Sequence, residues 1–236
     1  MVNIDTNFTK KQIIIALCGL LFFISFLIFL ILVISNNKEP LAVDNNILNS
    51  LVNLRGEKGG FLYILFRIIA EFGFVYILIF IYLLLLIYTK FDIRFIVLLC
   101  GIGIALTTNV ILKNIIERSR PEEYLRWQNE TSYSFPSSHS LSSGFIYTYI
   151  AYLLAIDNKM NKILKIIFIS LSIIIIPLIM FSRLILAVHY FTDVMAGFSL
   201  GFFYAFLGIF VTNIFIKKEI LKTPLLIKLF ERKKGD

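Results

Sequence analysis

Histidine and cysteine are nearly missing from this chain, with two of each in 236 residues. Cys18 and Cys100 both fall inside apolar runs, which argues against a disulfide and reads them as reduced packing residues. Charge is scarce as well. Charged residues make up 16% of the chain against 58% hydrophobic, a balance that excludes an ordinary soluble domain and points to a polytopic membrane protein. There is no internal repeat and no low-complexity domain.

What fills the chain instead is long apolar runs. Six candidate spans read as 12–34, 70–89, 92–116, 140–157, 163–183 and 192–216. The first carries no charge and is long enough for a hydrocarbon core of about 30 Å. It follows Lys10-Lys11 like a signal n-region, but it exceeds a signal h-region and no small-residue cleavage site follows, so it reads as an uncleaved anchor. The expected fold is an all-α integral membrane protein: a six-transmembrane-helix bundle forming a single polytopic domain over 1–236. Between the first two spans, segment 35–69 does not read as a span. Ile47, Leu48, Leu51, Val52 and Leu54 recur at helical spacing before Gly56, Gly59 and Gly60 interrupt the pattern. The pattern predicts an interfacial amphipathic helix, with a plain loop as the alternative.

Lysine and arginine set the orientation. With a cytoplasmic amino terminus, Lys10, Lys11, Lys90, Arg94, Lys159, Lys162 and Lys165 lie inside, and seven more cations in the carboxy-terminal tail join them. Nine lie on the other side, so the positive-inside rule places both termini in the cytoplasm. The basic tail reads as a topology signal rather than a nucleic-acid site. In this arrangement loops 117–139 and 184–191 share the extracytoplasmic face.

The polar patches of the chain meet there. Lys113 and Arg120, seven residues apart and followed by Pro121, can share one helix face at the outer end of the third span. A point charge beside a planar fork of donors suits a phosphate dianion, although snorkelling cations at a helix end give the same pattern. Pro136-Ser137-Ser138-His139 precedes the fourth span, where a helix amino terminus offers N–H groups to an anion, Ser137 a hydroxyl and His139 a proton; a simple helix cap is the alternative. His189 and Asp193 are spaced to stack on a helix start, so that the carboxylate fixes the imidazole tautomer and leaves the other nitrogen as nucleophile. Asp193 would also suit the helix dipole, but capping accounts for neither Arg183 nor His189.

In order, the patches read Lys-x6-Arg-Pro, Pro-Ser-Ser-His and Ser-Arg-x5-His-x3-Asp. This strongly resembles the type-2 phosphatidic acid phosphatase superfamily, the lipid phosphate phosphatases that share a catalytic core with vanadium haloperoxidases. The resemblance covers a catalytic core of about 70–216. Glu130-Thr131-Ser132-Tyr133-Ser134-Phe135 is further similar to bacterial members acting on phosphatidylglycerol phosphate and undecaprenyl diphosphate.

The resemblance implies that Lys113, Arg120 and Arg183 hold the phosphate, helped by Ser137 and the backbone around Ser138. It implies that His189 attacks phosphorus, Asp193 orients it, and His139 protonates the leaving oxygen and later activates water. It implies no metal and no cofactor; the outer loops offer no cysteine, and both histidines already have roles. The family usually has glycine where this chain has Ser138, whose small side chain is expected to be accommodated. The partners implied are a membrane lipid phosphate and the bilayer, with no nucleic acid and no protein partner. A lipid phosphotransferase of the same superfamily and a non-catalytic lipid-phosphate binder or transporter are the alternatives. Charged residues in mid-span would favour a transporter, and this chain has almost none.

Weaker signals are Glu71, read as an interfacial carboxylate or a substrate-access residue, and Trp127, Tyr124 and Tyr133, read as an aromatic belt or as headgroup contacts. Gly197-x-x-x-Gly201 reads as internal helix packing rather than dimerisation.

Overall fold

The computed structural model describes residues 9–73, 93–158 and 160–217, and all regular structure among them is helical. Helix α1 (Lys10–Ser35) opens on a reciprocal cap: the Gln12 N–H donates to the Thr9 hydroxyl, and the Thr9 N–H donates to the Gln12 side chain. Its 26 residues rise about 39 Å. Ile13, Leu17, Leu21 and Ile28 point outward, an arrangement suited to lipid. Two shorter helices follow, α2 (Ala42–Leu54) and α3 (Phe61–Glu71). Then come α4 (Ile93–Ile116), α5 (Ser138–Ile156), α6 (Lys162–Ile185) and α7 (Phe191–Lys217).

Among the described residues, α1, α4, α6 and α7 are long and apolar enough to cross a membrane. Helix α5 differs in kind. It rises about 28 Å and carries Ser138, Ser140, Ser142 and Ser143 in its first turns. Those hydroxyls are tolerable because neighbouring helices enclose them: Ser142 Oγ donates to the Gly73 carbonyl at 2.9 Å and Ser143 Oγ to that of Ser140 at 3.2 Å. The other four described spans differ from their sequence-predicted bounds by one or two residues.

The expected second span, 70–89, lies almost wholly outside the described residues. Helix α3 begins at Phe61 and packs against α6, with Phe66 edge-on to Phe181 at 5.4 Å and Ala70 packed with Ile185 and Leu186. The glycines before it mark where this helix starts. On α3 the Arg67 guanidinium donates to the Tyr63 hydroxyl at 3.1 Å. The stripe expected on 35–69 is partly present: Leu48, Leu51 and Val52 of α2 face the protein, whereas Leu54 is 76% exposed.

Helices α5 and α7 approach closely. A β-carbon on Gly197 would lie 2.4 Å from the Ser137 carbonyl oxygen, and one on Gly201 would lie 2.3 Å from that of Leu141. The glycine pair therefore packs inside the bundle. Around it, Leu98 and Ile102 of α4, Phe145 and Tyr149 of α5, and Ala205 and Ile209 of α7 form one core cluster. Helix α1 lies against α7 through Phe22 and Phe23, which meet Phe198, Phe202, Phe203 and Phe206.

The carboxy-terminal ends of α1, α4 and α6 and the amino-terminal ends of α5 and α7 gather at one end of the bundle. Loop 117–137 is stitched across it by Ser134 N–H to Arg118 O at 2.8 Å, Trp127 N–H to Leu186 O at 3.0 Å and Ser137 N–H to Asp193 O at 3.0 Å.

Candidate active site

Three cations converge under that loop. Lys113, buried in the last turn of α4, donates to the Tyr133 carbonyl and, at 3.4 Å, to that of Ser134. Arg120 leaves the helix with the chain and is pinned by Ser132 O and Val188 O, each at 2.7 Å. Arg183, fully buried in the last turn of α6, pairs with Glu130 and reaches Gln128 Oε1 at 3.4 Å. Its Nε is buried with no hydrogen-bond partner, a donor left over for a ligand oxygen. Glu130 also lies 3.8 Å from Arg120, so one carboxylate sits between two guanidinium groups. Three basic side chains against this one carboxylate suit a phosphate anion. Lys113, Arg120, Glu130 and Tyr133 line a cavity of about 490 Å³.

Arg120 also fixes the chemistry of His189. Its Nη1 lies 3.1 Å from His189 Nε2. A guanidinium only donates, so Nε2 must accept and the ring proton belongs on Nδ1. The lone pair of Nε2 thus faces the cations. Burial, then Arg120, Lys113 and Arg183, hold the His189 imidazole well below its usual pKa, so the ring is neutral at pH 7. Arg120 itself is lowered to about 10, chiefly by burial and against the pull of Glu130, and stays charged.

Asp193 stands behind the ring, less directly than its spacing predicts. Its Oδ2 is 3.6 Å from His189 Nδ1, outside hydrogen-bond range. The Ser134 hydroxyl sits beside both, donating to Oδ2 at 2.5 Å and lying 3.4 Å from Nδ1. Oδ2 also accepts the Tyr190 N–H at 2.8 Å, so Asp193 caps α7 as well. Its Oδ1 binds Arg118 at 2.6 Å, with both side chains fully buried. Removing one member of such a pair costs about 3–5 kcal/mol. Between α6 and α7, Ala187 takes a left-handed conformation (φ 53°), turning the chain so that Arg183 and His189 both reach the site.

At the start of α5, Ser137 acts as the cap, its hydroxyl accepting from Ser140 N–H at 3.4 Å and Ser140 Oγ at 3.1 Å. Ser138 is accommodated by turning toward α4, where its hydroxyl donates to Asn109 Oδ1 at 2.7 Å; Asn109 in turn holds the Pro136 carbonyl at 3.2 Å. His139 is within electrostatic reach of Arg183, His189, Arg120 and Lys113, and its ring edge borders Gly73.

Lys113, Arg120, Ser137, Ser138, His139, Arg183, His189 and Asp193 thus gather at one end of the bundle. Sequence reasoning did not single out Ser134, Glu130, Arg118 or Asp44 as site residues. Trp127 belongs to no lipid-facing belt: it is buried, with Arg55 4.3 Å above its ring and Tyr63 edge-on. Tyr124 and Tyr133 are exposed, and Glu71 is exposed at the end of α3. Among the described residues no group of three or more His, Cys, Asp or Glu forms a candidate metal centre.

Comparison with known proteins places this arrangement. Phosphatidylglycerophosphatase B of Bacillus subtilis (strain 168) is 41% identical over 100 residues, 42% of this chain and 48% of that protein. Dolichyldiphosphatase of Saccharomyces cerevisiae is 33% identical over 111 residues, 45% of this chain and 46% of that protein. The chain therefore matches about half the length of these curated relatives. The crystal structure of a transmembrane PAP2-type phosphatidylglycerolphosphate phosphatase from Bacillus subtilis superposes with a TM-score of 0.73 at 28% identity, over 83% of this chain and 96% of that one. Aquifex aeolicus LpxE shares the fold at 20% identity, with a TM-score of 0.56 over 72% of this chain and 96% of that one. The profile described as PAP2 superfamily matches residues 94–217, more than half of the sequence and the whole stretch from α4 to the end of α7, and this chain belongs to that superfamily.

Proposed function

We propose that the chain is an integral membrane phosphatase that hydrolyses a lipid phosphate or diphosphate at the outer leaflet through a phosphohistidine on His189. The observation that carries this reading is the acceptor nitrogen of a neutral His189, held 3.1 Å from Arg120 and within electrostatic reach of Lys113 and Arg183. Nε2 attacks phosphorus, a bond from phosphorus to nitrogen forms, and the bond to the lipid oxygen breaks with a proton delivered by His139. Water then attacks phosphorus while His139 takes its proton, the bond to nitrogen breaks, and inorganic phosphate leaves. Lys113, Arg120, Arg183 and the α5 amino terminus at Ser137 and Ser138 bind the phosphate oxygens. Asp193 orients the nucleophile. These side-chain cations replace the divalent ion that phosphoryl transfer commonly uses.

The substrates in view are phosphatidylglycerol phosphate and undecaprenyl diphosphate. One relative is named for the hydrolysis of a phosphatidylglycerophosphate and another for that of a polyprenyl diphosphate. In the same reading the chain is one polytopic domain of six spans with its catalytic core over 70–216. α2 lies at the interface, both termini are cytoplasmic and the site faces outward.

Purified protein in detergent, given either lipid labelled at the terminal phosphate, tests the mechanism. Phosphate release in EDTA without an added acceptor is expected, with acid-labile, alkali-stable label trapped on the wild-type protein and absent from His189→Ala. Label retained without His189, or activity restored only by added Mg²⁺, would sink the mechanism.

A further inference from the structure

Arg118 stands two residues before Arg120 and takes no part in holding phosphate in the mechanism above. Its side chain is fully buried, and each of its five N–H donors has an acceptor. Nε donates to Lys38 O at 3.1 Å. Nη1 donates to Thr192 Oγ1 at 2.7 Å and Asp193 Oδ1 at 2.6 Å. Nη2 donates to Glu39 O at 3.3 Å and Asp44 Oδ2 at 2.8 Å. The guanidinium also lies 4.7 Å from the Tyr190 ring centroid. Asp44 is equally committed, accepting the Thr192 N–H at 2.9 Å, the Thr192 hydroxyl at 2.8 Å and, as a cap for α2, the Leu41 N–H at 3.1 Å. A continuous path of buried polar contacts therefore runs from Asp44 on α2 through Arg118 to Asp193 behind His189.

We propose that Arg118 is a positioning residue for His189, acting through Asp193, and that Asp44 makes α2 part of the catalytic apparatus. The inference rests on His189 being the nucleophile. With Oδ1 committed to Arg118, Asp193 can turn only Oδ2 toward Ser134 and the imidazole. The guanidinium thus holds its fixed positive charge 2.6 Å from the carboxylate that faces the Nδ1 side of the ring. Asp44 supplies the second countercharge. Two carboxylates and one guanidinium leave a single negative charge behind an imidazole that turns positive when Nε2 bonds to phosphorus. Burial alone would weaken the charge on Arg118, and the Asp193 and Asp44 carboxylates more than offset it, raising its pKa.

A double-mutant cycle separates positioning from general support of the fold. The assay is phosphate release from phosphatidylglycerol phosphate in detergent, with orthovanadate binding measured alongside. Arg118→Lys is expected to lower kcat by roughly 10–100-fold, the size typical when an outer partner of a functional imidazole is lost. KM and orthovanadate affinity are expected to stay within about threefold. In an Asp193→Asn background the same substitution should cost less than about threefold, because its route to the ring is already cut. Asp44→Asn, which keeps the shape and removes the charge, carries the identical cycle if Arg118→Lys fails to fold. Equal losses in both backgrounds, or no loss in the wild-type background, overturn the proposal. Turnover surviving in His189→Ala overturns the nucleophile assignment on which the proposal rests, a result distinct from either.

Discussion

His189 departs from ordinary imidazole behaviour in a direction that can be measured. Its folded pKa is depressed by burial and by three cations, so below 6.5 the unfolded chain binds a proton that the folded one refuses. The contribution of this group to stability is therefore fully present above 6.5 and is lost as pH falls from there toward the folded pKa. With two histidines in the chain, ring ¹⁵N spectra contain two sets of signals. The His189 set should titrate at a lower pH than a free imidazole does. Its midpoint should rise in Arg120→Gln, which removes the nearest cation. A wild-type midpoint at 6.5 would contradict the described environment. The residues around this ring were legible in sequence only where the signal is local. Lys113 with Arg120, and Arg183 with His189 and Asp193, are close in the chain and polar against an apolar background. Arg118 meets Asp44 and Asp193 across separations of 74 and 75 residues, and no local pattern records that. Ser134 looks like any loop serine until Asp193 is beside it.

Helices were legible where apolar length alone decides, as for α1, α4, α6 and α7. Helix α5 was also found despite its serines, because Pro136 and Ser137 announce its start. Helix α3 was missed, since Gly56, Gly59 and Gly60 interrupt the apolar pattern just before it. The α5–α7 contact makes a prediction at this scale. Gly201→Ala drives a β-carbon into the Leu141 carbonyl, whereas Gly103 on α4 has nothing within 4 Å. Gly103→Ala should leave the Tm in detergent unchanged or slightly raised, since alanine is favoured in a helix by about 1 kcal/mol. Gly201→Ala should lower it, because overpacking costs about 1–3 kcal/mol. The same substitution should reduce phosphate release, since the α5–α7 contact sets the distance between the α5 amino terminus and His189. Equal Tm values for the two variants would mean that the close approach is not what holds this pair.

For the molecule as a whole, the excess of cations on one side of the apolar runs predicts an orientation with both termini cytoplasmic. Tyr124, 82% exposed in loop 117–137, reports on it. In a background lacking Cys18 and Cys100, Tyr124→Cys should react with a membrane-impermeant maleimide added to intact cells. Labelling only after the membrane is opened would place the site on the cytoplasmic side and remove the outer-leaflet substrate. The expected orientation rests on charge counts alone. The meeting of five helix ends at one site was legible only in part, because it also needs the course of α2 and α3.

The phenylalanine contacts between α1 and α7 join the first described helix to the last. During synthesis that pairing cannot form until about 170 residues separate the two, which at about 5–20 residues per second leaves α1 waiting on the order of ten seconds or more. Its bilayer-facing side chains are stable in lipid from the outset, but Ser25 must wait for Ser199, its partner at 3.0 Å. Asp44 and Arg118 can pair before α7 arrives, yet their bonds to Thr192 and Asp193 cannot form until it does. A chain halted before α7 would therefore present an unfinished polar cluster, which quality-control proteases could recognise. The helix that carries Asp193 also ends this period of exposure.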